Sequence, residues 1–405
     1  MLNKINYCFN IFFILIFFPS FVTGVFLPNL ICGLFILINL ILKFQKIKNL
    51  FFQYHYISCL FIGFYLLMIL SSFLSNHVYH SLETSLLYFL FLVYTLGLMT
   101  LFSGNIKFRE LFFFCGIITC IILSLDAIYE LFYGSNILGY SAIDGRIAGL
   151  FDQRWLIGRY LIYILPVLIG MYFLEINIFI KYKLIFYITV ILTSFIIIFS
   201  GERASFLMLV IYITMLITFF FRKVSLTKVA FVSLLILLFI ITPFFFSESS
   251  ERITNNLLLY LTSRNLDENH YLSMFLTSWK IFINNPILGV GPNNFRFVCS
   301  DQSYFLSVWS CSTHPHSITF QLLAETGIFG FLAVFSVFTY FLYKSSSLVF
   351  SKEFSYQSLG IYSLQCSILL YLFPFMITGN FFLSWYGFIF YLPIALFMVY
   401  SEKLK

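Results

Sequence analysis

The chain has little charge for its length. Asp, Glu, Lys and Arg make up only 10% of its 405 residues, whereas 61% of the residues are hydrophobic and 57 are phenylalanine. A soluble domain of this size cannot bury so much apolar surface. The composition therefore excludes a soluble globular protein and predicts a protein that crosses a membrane many times.

The cysteines do not show the spacing of a metal site, and the cations are informative through their positions. The eight cysteines include no CxxC pair and no zinc-ligand spacing, so no metal site is predicted from them. The formal net charge is +7, which would suggest an acidic partner for a soluble protein. In a membrane protein the position of each cation matters more than the sum, because Lys and Arg mark cytoplasmic loops. No nucleic-acid partner is predicted.

Apolar runs of about 20 residues, enough to cross about 30 Å of hydrocarbon, recur along the chain. The runs lie at 6–23, 26–42, 57–74, 84–102, 110–132, 156–174, 184–200, 204–221, 229–246, 317–343, 357–378 and 381–400. They predict an all-α polytopic membrane protein with about twelve transmembrane helices and a large loop on the outer side before helix 10. The expected segments are N-terminal transmembrane helices over 1–133, an outer loop over 134–155, transmembrane helices with a short Arg-bearing turn over 156–246, the large loop over 247–316, and C-terminal transmembrane helices over 317–405.

The orientation follows from the basic residues. They follow every second apolar run, at Lys43, Lys46, Lys48, Lys107, Arg109, Lys181, Lys183, Arg222, Lys223, Lys228, Lys344, Lys352, Lys403 and Lys405. The positive-inside rule places these gaps and both termini in the cytoplasm. The long loops at 134–155 and 247–316 then face outwards, and an amphipathic helix over 271–284 is expected to lie on the membrane surface.

The other cations lie in or beside outward-facing segments, and almost all are arginine. They are Arg146, Arg154, Arg159, Arg203, Arg252, Arg264, Lys280 and Arg296. Lysine suffices as a topology signal, whereas a guanidinium offers a rigid fork of donors that suits phosphate oxygens. The arginines therefore indicate an anionic partner at the outer face. Asp126 and Glu130, one turn apart in the fifth run, either pair with these arginines or stay hydrated at the interface.

Three polar clusters share the predicted outer side: 145–159, 200–205 and the stretch that ends in His314-Pro315-His316. In the second cluster, Glu202 and Arg203 sit in a very short turn between two apolar runs. This turn is either a membrane-boundary turn with a snorkelling arginine or a site that holds a diphosphate headgroup. Glu202 either orients Arg203 by a salt bridge or points away from it.

The histidine pair has several interpretations. A metal site is disfavoured, because Asp301 and Glu325 are the only close carboxylates. A capping or packing role remains open. A histidine of near-neutral pKa can also act as a general base towards a hydroxyl, and His316 at a helix start can help to hold an anion.

Cys299 and Cys311 bracket a polar segment of the large outward loop. If that loop lies in an oxidising compartment, the two cysteines form a disulfide that braces the approach to the histidines. The alternative is a pair of free thiols. The remaining cysteines fall in apolar runs and are expected to be small packing residues.

In order along the chain, these motifs resemble those of the O-antigen ligase and O-antigen polymerase family of bacterial envelope glycosyltransferases. RIAGLF at 146–151, followed by GRYL at 158–161, looks like the family's outer-loop motif. SGERAS at 200–205 looks like its Arg-bearing turn. NPILGVGPNNFRFVC at 285–299 and CSTHPHSITFQLLAETGIFGF at 311–331 look like its periplasmic loop running into the next span.

The resemblance implies an inverting, metal-independent glycosyltransferase without a cofactor, in the bacterial inner membrane and with a periplasmic active site. The donor would be a saccharide on undecaprenyl diphosphate. The acceptor would be lipid A–core for a ligase of lipopolysaccharide biosynthesis, or a second lipid-linked glycan for a polysaccharide polymerase. Besides these lipid-linked glycans, membrane lipids are the expected partners.

The resemblance also implies residue roles. His316 or His314 would be catalytic, activating the acceptor hydroxyl or holding the leaving diphosphate. Arg203 would bind the donor diphosphate. The resemblance further suggests that diphosphate binding involves Arg146, Arg296 and His270, with Glu202 and Glu325 in support.

The chain departs from the family pattern at several positions. Ser317 stands where the family often has Asn. His270, with Arg264 upstream, stands in the region where many members carry a surface-helix arginine, which leaves open the cation that completes the diphosphate clamp. Arg154 and Arg159 stand where an acidic and a small residue are common.

A lipid-linked saccharide transporter is the alternative from another class. A transporter is expected to place ionisable or helix-breaking residues near the middle of several spans. In this chain the polar residues gather at one face instead, which favours chemistry at the membrane surface.

Overall fold

The protein was analysed as a computed structural model. It describes residues 2–141, 146–151, 156–221, 265–351 and 353–402, together with Arg154, Thr227 and Ser263. Within these residues every regular element is a helix, and the only extended pairing given for them is an isolated bridge between Ser135 and Ser141. The predicted all-α class is confirmed.

The α-helices, numbered over the described residues, are α1 Leu2–Ser20, α2 Phe26–Gln53, α3 His55–Phe73, α4 Val78–Tyr88, α5 Leu90–Gly104, α6 Ile106–Tyr133, α7 Ile157–Leu174, α8 Ile176–Phe179, α9 Lys183–Phe199, α10 Arg203–Phe221, α11 His270–Asn284, α12 Phe295–Val298, α13 Ile318–Phe350, α14 Tyr356–Tyr371 and α15 Ser384–Glu402. Short 3-10 turns lie at Phe21–Thr23, Gly149–Phe151 and Ile180–Tyr182.

In the described part of the chain, 10 helical segments are long and apolar enough to span a membrane. They confirm a multi-pass membrane protein, although the expected number of twelve is not established. The predicted span over 229–246 lies outside the described residues. The predicted span over 357–378 is shorter than expected, because α14 ends at Tyr371 and an irregular segment follows. Pro374 disfavours a helical conformation for the residue before it, which accounts for this early end.

The predicted span over 317–343 is interrupted. Inside α13, Gly327 has φ 65° and ψ −167°, so the helix is broken after its first two turns. A Cβ at Gly327 would lie 2.3 Å from the Ile287 carbonyl oxygen. The break brings the backbone of the preceding loop against α13, as described below for the site.

The spans run between two faces of the bundle. One end, termed here the lysine face, carries the ion pairs Lys181–Glu110 and Arg109–Glu175. The opposite end, termed the loop face, carries residues 134–141, 146–151, 200–202, 265–317 and 372–383. Helices α5, α7 and α14 are almost fully buried and form the centre of the bundle, where α7 packs along α14. The candidate site lies at the loop face, above α7.

Candidate active site at the loop face

Backbone pairing joins the outer-loop motif to the Arg203 turn. The Ile147 N–H donates to the Ser200 carbonyl over 3.1 Å. The Glu130 carboxylate accepts from the N–H groups of Ala148 (3.2 Å) and Gly149 (2.7 Å). Glu130 therefore holds backbone of the outer loop, a role that the sequence did not reveal. The fold thus places Arg146, next to Ile147, beside the turn that carries Arg203.

Glu202 fixes this turn against the start of α7. Its Oε1 accepts from the Gly158 N–H over 2.7 Å, and its Oε2 accepts from the Arg159 N–H over 3.2 Å and from the Ser205 hydroxyl over 2.9 Å. The first N–H groups of a helix have no partner within the helix, so a buried carboxylate there acts as a cap. Burial raises the pKa of Glu202, and the Arg159 charge and these hydrogen bonds oppose that rise.

Arg159 also belongs to this region, although the sequence assigns it no role in the site. Its Nη1 donates to the Tyr386 hydroxyl over 3.1 Å. Tyr386 lies in the first turn of α15, directly after the irregular segment 372–383. The guanidinium therefore bridges from α7 towards the segment that supports the histidines.

The two histidines face each other, with ring centroids 4.2 Å apart. His314 is 9% exposed, whereas His316 is more accessible. His316 has φ 58°, an unusual conformation for a non-glycine residue, and its carbonyl accepts from the Thr378 N–H over 2.9 Å. Its Nε2 lies 3.4 Å from the Ser312 hydroxyl. The backbone is thus held in a strained turn that directs His316 to the accessible side.

The surroundings keep both imidazoles neutral. Burial, followed by the Arg159 charge, lowers the pKa of His316 to about 4. Burial lowers the pKa of His314 well below its ordinary value, and protonation of His316 and the charges of Arg159 and Arg296 would further disfavour a protonated ring. At neutral pH each ring therefore has a free lone pair that can accept a proton.

Arg296 approaches the histidine pair from the large loop. It lies in α12, and its Nη2 donates to the Asn293 side-chain oxygen over 2.8 Å. The same oxygen accepts from the Asn380 amide over 2.9 Å. Asn293 has φ 62°, and its amide nitrogen lies 3.1 Å from Nε2 of His80 on α4. Side chains from three separate parts of the chain therefore hold Arg296 in place.

Glu325 lies beneath this turn and is fully buried. Its carboxylate accepts from the N–H groups of Phe295 (2.8 Å) and Asn293 (3.0 Å) and from the Gln321 amide (3.0 Å). The Gln321 amide also donates to the Asn380 side-chain oxygen over 2.7 Å. The structure therefore places Glu325 as a support for the Arg296 turn.

The loop segment before Arg296 pairs with the broken part of α13. The Val290 N–H donates to the Ala324 carbonyl over 3.0 Å, and the Ile328 N–H donates to the Pro286 carbonyl over 2.8 Å. The left-handed Gly327 opens the helix so that these groups can meet. The Asn-Pro-Ile-Leu-Gly motif thus docks the large loop on the helix that follows the histidines.

Cys299 and Cys311 are joined by a disulfide, with Cα atoms 5.2 Å apart. Cys299 is fully buried and packs with Ile281, Phe295 and Val298 in a small apolar cluster. The link ties the Arg296 helix to the irregular stretch that leads to the histidines.

His270 is engaged elsewhere. Its ring stacks on the Trp309 ring, with the two ring centroids 3.6 Å apart. Its neighbour Tyr271 faces His316, with centroids 5.8 Å apart. The structure therefore brings Tyr271, rather than His270, to the histidine pair. Arg264 lies outside the described residues.

No group of three or more His, Cys, Asp and Glu side chains is placed to hold a metal ion within the described ranges. The residues that converge at the loop face are instead arginines, neutral histidines and amides. Such a set can neutralise an anion and accept a proton beside it.

An apolar helical bundle with a buried polar cluster at one end defines a multi-pass membrane protein. Residues 188–335 match the sequence model of the family described as O-antigen ligase, which confirms the resemblance seen in the motifs. The matched segment contains the Arg203 turn, Arg296, both histidines and Glu325, whereas Arg146 and Arg159 precede it. No curated protein matches the chain. Residues 188–335 are therefore similar to the O-antigen ligase family, and this similarity implies a glycosyltransferase-like enzyme.

Proposed function

We propose that the protein transfers a saccharide from undecaprenyl diphosphate to a sugar hydroxyl at the periplasmic face of the bacterial inner membrane. The observation that carries this proposal is the convergence of Arg296, Arg159 and two neutral histidines beside the Arg203 turn. A lipid diphosphate presents its charge at the end of an apolar chain, which matches a cationic site at one end of an apolar bundle.

The reaction is a displacement at the anomeric carbon. The acceptor hydroxyl oxygen forms the new bond to this carbon on one face of the sugar, and the bond to the diphosphate oxygen breaks on the other face. The configuration is therefore inverted. The hydroxyl proton passes to His316, and the diphosphate leaves with an additional negative charge. Clustered guanidinium groups stabilise that charge in the transition state, so the proposed transfer is metal-independent.

His316 is proposed as the general base, because it is the more accessible of the two rings and is neutral. A bound diphosphate adds negative charge next to the imidazole, which raises its proton affinity. The base therefore becomes stronger when the donor is in place. His314 lies behind His316 and orients it through the ring contact.

The acceptor proposed first is lipid A–core, because the matched family is described as O-antigen ligase. A polymerase would use a second lipid-linked glycan in the same site. Wild type, Arg203→Ala, His314→Ala and His316→Ala can be expressed in hosts that lack either the ligase or the polymerase, with protein levels checked. Long chains restored on lipid A–core in the first host support a ligase, and a ladder restored only in the second supports a polymerase.

The same effect of substitution is expected whether the protein is a ligase or a polymerase. Arg203→Ala and His316→Ala should abolish the restored product at normal protein levels. Purified wild-type protein that leaves its native lipid-linked donor intact, with acceptor present, would contradict the proposal and favour a transporter.

A further inference from the structure

Arg159 carries a charge that makes no ion pair within the described residues, although the nearby Glu202 carboxylate acts on it over a longer range. Its backbone N–H is held by Glu202, and its Nη1 donates to Tyr386. Its Nε is buried and has no hydrogen-bond partner among the described residues. No carboxylate of those residues lies within ion-pair distance of the Arg159 guanidinium. The ion pairs at the lysine face involve Arg109 and Lys181 instead.

The geometry ties this guanidinium to the histidine pair. A Cβ on Gly379 would lie 2.1 Å from the Tyr386 ring, so the ring packs directly on the backbone at this position. The preceding residue, Thr378, donates its N–H to the His316 carbonyl over 2.9 Å. The adjacent residues Thr378 and Gly379 therefore link this guanidinium to His316. Thr378 binds the His316 carbonyl, and Gly379 packs against the Tyr386 ring, whose hydroxyl binds Arg159.

The electrostatics agree with this placement. The Arg159 charge lowers the pKa of both His314 and His316. Arg296 lowers the pKa of His314 from the side of the large loop. The histidine pair therefore experiences two guanidinium charges that come from different parts of the chain.

We propose that Arg159 binds a phosphate group of the donor diphosphate, with Tyr386 as the residue that positions its guanidinium. The inference rests on the proposed function and adds a residue outside the matched family segment. Arginine suits this role because its planar donors bind phosphate oxygens in pairs. One guanidinium donor is held by Tyr386, and Nε has no hydrogen-bond partner among the described residues.

The test compares two soluble probes that share one tail, farnesyl diphosphate and farnesyl monophosphate, binding to the full-length protein in detergent. Arg159→Gln should weaken diphosphate binding by about 10- to 100-fold, because a charged hydrogen-bonding partner is lost. Arg159→Lys should retain part of the affinity, and Tyr386→Phe should weaken binding by about threefold. Monophosphate binding should change less than diphosphate binding.

Arg154→Gln is the matched control, because Arg154 is an exposed arginine near the same helix and donates to the Phe151 and Val22 carbonyls instead. It should bind the diphosphate probe as the wild type does. Size-exclusion profiles check folding, and Arg159→Lys and Tyr386→Phe carry the test if Arg159→Gln does not fold.

A second readout separates binding from a structural role. Removing the Arg159 charge should move the acidic limb of the pH–activity profile to higher pH, since that charge disfavours protonated His316. Unchanged diphosphate affinity in both Arg159→Gln and Tyr386→Phe would overturn this inference alone. A wild-type protein that does not distinguish diphosphate from monophosphate would overturn the proposed function as well.

Discussion

Glu325→Ala is predicted to loosen the turn that carries Arg296. The fully buried carboxylate accepts hydrogen bonds from the Phe295 and Asn293 N–H groups and from the Gln321 amide. Alanine leaves these three donors without that acceptor. The Gln321 amide keeps its hydrogen bond to Asn380, whereas the two backbone N–H groups lose their partner. A buried donor without a partner costs about 1–3 kcal/mol, so the loss should be at least about 2 kcal/mol unless water enters.

Glu325→Gln should be milder, because one side-chain oxygen remains to accept a hydrogen bond. Its amide NH₂ would nevertheless face at least one donor, which costs roughly half as much as the alanine change. The loss should be concentrated in the loop-face turn, because the apolar packing of the spans is unchanged. Arg296 would lose its fixed position, and activity should fall with the stability of the turn.

Hydrogen–deuterium exchange measures this effect directly. Peptides over 290–298 should exchange faster in Glu325→Ala, and the thermal midpoint of the purified protein should fall. Glu353→Ala is the control, because Glu353 is exposed at the opposite end of α13. Exchange over 290–298 that equals the wild type would refute the supporting role assigned to Glu325.

Further predictions concern the helix break, the disulfide and the histidine. Gly327→Ala should destabilise the protein by about 3 kcal/mol, because Gly327 has φ 65° and an added Cβ would clash with the Ile287 carbonyl. The thermal midpoint of the variant should therefore be lower, and a midpoint equal to that of the wild type would contradict this prediction. Mass spectrometry without reductant should recover a peptide pair linked through Cys299 and Cys311, and replacing both by serine should cost about 2–3 kcal/mol. If His316 is the base, kcat/KM should be retained above a pH of about 4 and lost as pH falls through that value, and a flat acidic limb would exclude this role.

The sequence predicts the spans well because hydrophobic length is a local property. The helices near 26–42, 110–132 and 204–221 all form where apolar runs predict them, as Phe26–Gln53, Ile106–Tyr133 and Arg203–Phe221. The break at Gly327 is harder to predict, because its surroundings are apolar and the cause is the approach of Ile287 from a distant loop.

Part of the site is also predictable, because a polar residue in an apolar chain is likewise a local feature of the sequence. Arg203, His314 and His316 stand out as polar residues in an apolar chain. The roles of Asn293, Asn380 and Gln321 depend on contacts between segments tens of residues apart, which no local pattern reveals.

Arg159 and His270 show most clearly that the sequence does not reveal which outward cations lie at the site. His270 stands in the region where the family often has an arginine and is grouped with the diphosphate-binding residues, yet its ring stacks on Trp309. Arg159 departs from the family pattern, yet it lies by the histidines through Tyr386. Charge along the sequence therefore identified the outer cluster but could not rank its members, because the ranking depends on which side chains the fold brings together.

The most direct test of the central claim is release of undecaprenyl diphosphate by the purified protein, supplied with its native lipid-linked donor and a saccharide acceptor. The wild type should release the lipid diphosphate in step with formation of the new glycosidic bond. Arg203→Ala and His316→Ala should reduce that rate by about 100-fold or more, and Arg154→Gln should not. A rate that is unchanged in Arg203→Ala and His316→Ala would contradict the assignment of this loop-face cluster as the active site.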